Sequence, residues 1–303
     1  MTAEPLTRRY HPSQPLDLRA TLAPLLRADS SDPGFRAAEG RTWRATRNAD
    51  GPVSISIRRD GDNIDLEAWG PGAERALDRA PSLLGEQDDG AEFHPTHPLI
   101  RDLHRRHPGL RFCRTEAVME VLLPTVMEQK VIGLEARRGY RRLVRVMGEP
   151  APGPAGLRLQ PAAAVLARTP YWRFHPFALE RRRAETIIRA AGMAPRLEAL
   201  VDGPVSDARA RLEAQPGLGP WSAAHITMIA MGDADAVAVG DYHLPNIVCH
   251  AFTGAPRGDD ATMLELLEPF RGHRGRVIRL LMMSGIRAPR FGPRLALRHM
   301  EVH

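Results

Sequence analysis

Leu212-Glu213-Ala214-Gln215-Pro216-Gly217-Leu218-Gly219-Pro220-Trp221-Ser222-Ala223-Ala224-His225 reads as two helices joined by a tight glycine turn. Apolar spacing closes one helix near Leu212, Pro216 to Gly219 turns the chain, and a second helix begins near Pro220. Glycine lets the backbone enter positive-φ conformations and approach another molecule closely. The unpaired amides at the start of the second helix, helped by its dipole, make an anion site. A DNA phosphate fits such a site, and so does an ordinary turn between two helices.

Downstream, Asp235-Ala236-Val237-Ala238-Val239-Gly240-Asp241-Tyr242-His243-Leu244 places an acid, Asp241, at the entrance of a further helix after a short apolar run. An acid there serves as an N-cap, as a chemical group, or as both. Asp233 and Asp235 read as solvated loop residues. Trp221 and His225 lie four apart and share one face of the post-hairpin helix. For Trp221 the plain reading is packing in the core.

Helical spacing extends outward from this stretch in both directions. It covers Glu116–Met127, Ile132–Met147, Leu179–Ala191, Val205–Leu212, Trp221–Met231, Tyr242–Phe252, Ala261–Phe270 and Arg274–Ser284. Pro124 lies inside the first of these and is expected to kink or restart it. Ahead of residue 98 the period changes to two. Ser54–Arg58 and Asn63–Trp69 alternate apolar and polar residues across Arg59-Asp60-Gly61-Asp62, a hairpin signal, and Thr42–Thr46 adds a further strand. Short helices fit Asp17–Leu26 and Ala73–Leu84. The expected architecture is a small α+β N-terminal domain over 12–97 followed by a mostly α-helical domain over 98–303. Met147–Gly156 reads as a low-complexity loop.

The hairpin and the acid together resemble the helix-hairpin-helix DNA glycosylases, whose signature is Leu-x-x-x-Pro-Gly-x-Gly followed about twenty residues later by Val-x-x-Asp. The α+β segment ahead of the helices is similar to the bacterial 3-methyladenine glycosylase II (AlkA-like) layout. Glu116-Ala117-Val118-Met119-Glu120 through Met127-Glu128-Gln129-Lys130 looks like that branch's helix and Gln-containing loop. The resemblance implies a catalytic Asp241 and a hairpin, Pro216, Gly217, Leu218 and Gly219, that grips the DNA backbone. It implies a base pocket at Trp221 and His225, and an intercalating loop at Gln129 and Lys130 that fills the gap left by the flipped base. It also implies double-stranded DNA as partner, no required cofactor, and a structural monovalent cation on the hairpin carbonyls. Bifunctional relatives carry a lysine at the hairpin whose amine attacks the sugar. Trp221 stands there instead, so the resemblance implies a monofunctional hydrolase of damaged, alkylated bases that leaves an abasic site.

Three departures bear on the substrate. Lys130 occupies the wedge position where an apolar residue is expected, and suits a phosphate, the orphaned base or plain solvent. His225 replaces an aromatic, and no pocket Trp appears around Arg279-Leu280-Leu281-Met282-Met283-Ser284. A different lesion, or a DNA-binding module without activity, is the alternative these departures favour and Asp241 opposes. Tyr171-Trp172-Arg173-Phe174-His175, the aromatic-basic cluster, fits either the edge of a DNA cleft or the core.

Composition frames these readings. The 303 residues carry 42 Lys+Arg against 36 Asp+Glu, a net +6 that suits a polyanionic partner. Lys130 is the only lysine, so any chemistry needing a side-chain amine has one candidate. Cys113 and Cys249 alone cannot ligate an iron–sulfur cluster or a four-cysteine zinc site. His94, His97, His104 and His107 lack ligand spacing, which argues against zinc. With no signal-peptide core and no long apolar run, a soluble cytoplasmic monomer is expected.

Overall fold

The computed structural model describes residues 4–27 and 31–289. The last fourteen positions of the expected helical domain, 290–303, lie outside the described residues. An antiparallel sheet is built from β1 (Leu6–Tyr10), β2 (Phe35–Ala38), β3 (Arg41–Asn48), β4 (Gly51–Asp60) and β5 (Asn63–Trp69), in the order β1-β5-β4-β3-β2. Asp60 pairs with Asn63 across Gly61, whose φ is +58°, so the hairpin turns where the Asp-Gly signal placed it. The outer strand β1 precedes residue 12 and pairs with β5 from Leu6↔Ala68 to Tyr10↔Ile64.

The helices are α1 (Leu18–Leu22), α2 (Ala73–Asp78), α3 (Ala80–Leu83), α4 (Pro98–Arg106), α5 (Val118–Glu128), α6 (Gly133–Met147) and α7 (Ala163–Arg168). They continue as α8 (Arg181–Gly192), α9 (Ala194–Glu198), α10 (Val205–Glu213), α11 (Pro220–Ala230), α12 (Leu244–Thr253), α13 (Asp260–Leu267) and α14 (Arg274–Met283). Of the two expected effects, a restart does not occur, and α5 runs through Pro124 from Val118 to Glu128. Proline removes the amide that would bond the carbonyl four residues back, and the Gln160 side chain donates to that Glu120 carbonyl at 2.9 Å instead.

Two cores organise the chain. In the first, Val53, Ile55 and Ile57 of β4 and Ile64, Leu66 and Ala68 of β5 pack with Val121, Leu122, Ile187, Ala223 and Ile226 from α5, α8 and α11. In the second, Phe93 and Ile100 join Leu244, Val248, Met263, Leu267, Val277 and Leu281 from the last three helices. The expected boundary at 97/98 therefore falls inside the second core, and the sheet shares its inner core with the helices beyond it. The bidentate Arg44–Glu120 pair, at 2.9 and 3.0 Å, also ties β3 to α5. The Met147–Gly156 stretch is ordered around β6 (Glu149–Pro150), which pairs with β7 (Arg158–Leu159). Ala151, Ala155, Leu157 and Leu159 from this hairpin cover the outer face of the sheet against Trp43 and Ala45.

Asp233 and Asp235 correct their sequence reading. Asp233 is 7% exposed, accepts from Thr227 Oγ1 at 2.8 Å and pairs with Arg209. Asp235 accepts from the amides of Gly272 and Arg274 and from the Arg274 guanidinium. Both carboxylates fasten the connection after α11 to its neighbours, because the segment runs between packed helices rather than over open surface. No helix among the described residues is long and apolar enough to cross a membrane, and none of their His, Cys, Asp and Glu side chains group to hold a metal.

Candidate active site

α10 and α11 flank the hairpin. Gly217 has φ +89°, and a Cβ there would stand 2.1 Å from Thr186 Oγ1, so the position demands glycine both by conformation and by space. Leu218 points inward and is buried. Gly219 caps α11 in an extended conformation with no side-chain acceptor, and Pro220 follows at the first turn. The Trp221 and Ser222 amides are thus left without a capping oxygen at the positive end of the helix.

The α5–α6 loop is pinned to this turn. α5 and α11 run antiparallel, because the Thr115 and Glu116 amides bond the Ile229 and Ala230 carbonyls at one end. At the other end Gln129 Nε2 donates to the Gly217 carbonyl and to Ser222 Oγ, both at 2.9 Å. Lys130 comes next, exposed and in the left-handed region at φ +53°. Non-glycine residues rarely adopt that conformation, and it tips the lysine outward beside the hairpin.

Asp241 and Trp221 meet although they lie twenty positions apart. Trp221 Nε1 donates to Asp241 Oδ2 at 3.0 Å, while Asp241 Oδ1 accepts from the His243 and Leu244 amides at 2.8 and 2.9 Å. The acid is therefore a cap at the start of α12 as well as a group turned toward the pocket side chains. Burial pushes its carboxyl upward, but the Trp221 indole and the two amides outweigh burial and hold it below the usual carboxylate range. His225 stacks at a tilt on Trp221, with ring centroids 4.4 Å apart. Its pKa is lowered to about 4, first by burial and then by the charge of Arg27, so the ring is neutral at neutral pH. Its Nε2 is buried with no hydrogen-bond partner.

Tyr242, beside the acid, escaped the sequence reading. It is 81% exposed, with its ring edge-on to His243 at 4.9 Å. An aromatic residue directly after a candidate catalytic acid was the available signal. Trp172 is also exposed whereas Phe174 is fully buried, so the aromatic-basic cluster divides between surface and core. Arg279 turns inward to the Arg111 carbonyl and the Phe112 ring, while Met282 on α14 is exposed.

Three carbonyls of the turn each accept one hydrogen bond, which leaves a second lone pair on each. The Pro216 carbonyl already accepts from Arg189 Nη2 at 3.3 Å, Gly217 from Gln129, and Gln215 from the Leu218 amide. Arg189 also brings a fixed positive charge to the turn.

No family model and no curated relative matches the sequence. Solved structures do match in shape. A 3-methyladenine DNA glycosylase from Archaeoglobus fulgidus aligns at 17% identity and TM-score 0.75, over 91% of this chain and 98% of that one. The Clostridium acetobutylicum 8-oxoguanine glycosylase/lyase, bound to double-stranded DNA containing cytosine opposite 8-oxoG, aligns at 13% and 0.70, over 93% and 97%. This chain has the helix-hairpin-helix DNA glycosylase fold. The Schizosaccharomyces pombe 3-methyladenine DNA glycosylase (Mag1), in complex with abasic DNA, matches over 64% of this chain and 95% of its own at TM-score 0.53 and 13% identity. Within the glycosylase signature, Ala238 stands where valine is the rule, flanked by Val237 and Val239.

Proposed function

We propose that the protein is a monofunctional DNA glycosylase that hydrolyses the N-glycosidic bond of damaged bases, alkylated ones among them, in duplex DNA. The observation that carries this reading is the Asp241 carboxylate, held ionised by Trp221 beside the glycine hairpin. Breaking the bond leaves positive charge on the sugar, and a fixed anion next to it stabilises that charge and orients the attacking water. The hairpin amides hold a phosphate, Lys130 fills or borders the space left by the base, and Trp221 and His225 line the pocket. The enzyme works as a monomer in the bacterial cytoplasm, on the AlkA-like pattern.

Trp221 stands at the hairpin position where bifunctional relatives carry the Schiff-base lysine. Incubation with methylated duplex DNA is expected to release methylpurines and leave an uncleaved strand with an abasic site. Borohydride should trap no covalent complex. Trapping that disappears on Lys130→Ala would overturn the monofunctional assignment, since Lys130 is the only lysine.

Trp221→Phe supplies a pH test. Base release needs the ionised Asp241, which is present above its pKa and lost as pH falls through it. The indole hydrogen bond helps hold that pKa down, so its loss moves the acid limb of the pH–rate profile upward. An unshifted limb would mean that Asp241 is not the titrating group.

A further inference from the structure

α6 begins at Gly133, just beyond Lys130, so its first turn continues from the loop that Gln129 fastens to the hairpin. At about 100° per residue, its buried residues Ala136, Gly139, Tyr140, Leu143 and Val144 share one face. Arg137, Arg138, Arg141, Arg142 and Arg145 fall within an arc of about 140° on the opposite face. The helix carries a single acid, Glu135 in its first turn. Arg141 donates to Ser31 Oγ. Arg137, Arg138, Arg142 and Arg145 are exposed and make no hydrogen bond or ion pair among the described residues.

Other helices neutralise their arginines locally. Arg105 and Arg106 share Asp102 on α4, and on α8 Arg181 pairs with Glu185 while Glu180 takes Arg183. The spacing on α6 does the reverse. Arg137 and Arg141, Arg138 and Arg142, and Arg141 and Arg145 are like charges four apart, an arrangement that weakens a helix. A polyanion laid along this face relieves the repulsion.

The dimensions suit DNA. From Arg137 to Arg145 the helix rises about 12 Å. One strand of a B-form duplex offers a phosphate about every 3.4 Å along the axis, so the stripe spans about three or four of them. Resting on duplex DNA as the partner in the reading above, we infer that the α6 arginine face is a second backbone contact, holding the duplex arm that flanks the lesion on the Lys130 side. The hairpin and loop meet the damaged site, and α6 carries the same duplex further along its axis. Contacts of this kind neutralise phosphates without reading bases, so they add affinity and support movement along DNA rather than choice of lesion.

The test is the salt dependence of binding to an undamaged duplex of about 30 base pairs, between about 0.05 and about 0.3 M salt. Wild type is compared with the triple variant Arg138→Gln, Arg142→Gln and Arg145→Gln, which spares Arg141 and its bond to Ser31. A charge-matched control carries Arg101→Gln, Arg105→Gln and Arg106→Gln on α4. The α6 variant should lower the slope of log affinity against log salt by about 2–3, since each phosphate contact contributes about 0.9. Its affinity at about 0.1 M salt should fall by about tenfold or more. Its melting temperature should hold or rise, because like-charge repulsion is removed. The control should keep the wild-type slope.

An unchanged slope in the α6 variant, or an equal loss in the control, overturns the inference. Base release from methylated duplex, measured separately at saturating enzyme, should be the same in the α6 variant as in wild type. A large fall there would overturn a role confined to the backbone. Absence of release even from wild type, with the slope lost only in the α6 variant, overturns the glycosylase reading and leaves the α6 contact standing. Failure of wild type to bind the duplex overturns both.

Discussion

Asp241→Asn is expected to slow base release by about 10²–10³-fold or more, the usual size of losing one preorganised electrostatic contact to a transition state. The substitution is informative because it preserves so much. Asparagine is a good N-cap, and its carbonyl oxygen can still accept from the His243 and Leu244 amides. Stability should therefore fall by less than about 1 kcal/mol. What changes is charge and polarity at the other oxygen. There the amide NH₂ would face the Trp221 indole N–H, donor against donor, with nothing to balance a developing cation on the sugar. Single-turnover release at saturating enzyme isolates the chemical step from binding. A loss under tenfold, with the variant folded, would show that Asp241 is only a helix cap.

The features legible in the sequence were those written in local conformation. A left-handed turn needs Gly217, a helix start needs a capping group such as Asp241, and the β4–β5 turn needs Gly61. Each leaves a residue type at a fixed place. The strands β3, β4 and β5 were readable because apolar and polar residues alternate along them, although β4 is buried on both faces from Val53 to Ile57. β1 was not, since Leu6 to Arg9 are all exposed and its order comes from pairing with β5. The same holds for Asp233, whose burial is decided by Thr227 and Arg209 brought in from other helices. Gln160, which answers the carbonyl freed by Pro124, is likewise set by tertiary packing forty residues away in the chain. At the site, Trp221 and His225 share a helix face as their four-residue spacing implied, and Trp221 also meets Asp241.

Gly217→Ala should destabilise the protein by about 2–5 kcal/mol and weaken DNA binding together, and the stability loss has two separable causes. The backbone at φ +89° costs an L-residue about 1–2 kcal/mol. The added methyl would stand 2.1 Å from Thr186 Oγ1 and 3.0 Å from its Cγ2, an overpacking worth about 1–3 kcal/mol. Thr186 cannot swing aside freely, since its hydroxyl donates to the Arg182 carbonyl and accepts from Arg189. The turn must move instead, carrying the Gly217 carbonyl away from Gln129 and so loosening the loop that bears Lys130. Adding Thr186→Ala removes the two closest contacts, leaving only Cβ at 3.1 Å, and should recover about half of the lost stability, the conformational cost remaining. Chemical denaturation of both variants, with duplex affinity measured across a salt series, tests the partition. Full recovery in the double variant would mean that the clash alone fixes glycine here. No loss in the single variant would mean that the hairpin is not the rigid phosphate grip on which the proposed function depends.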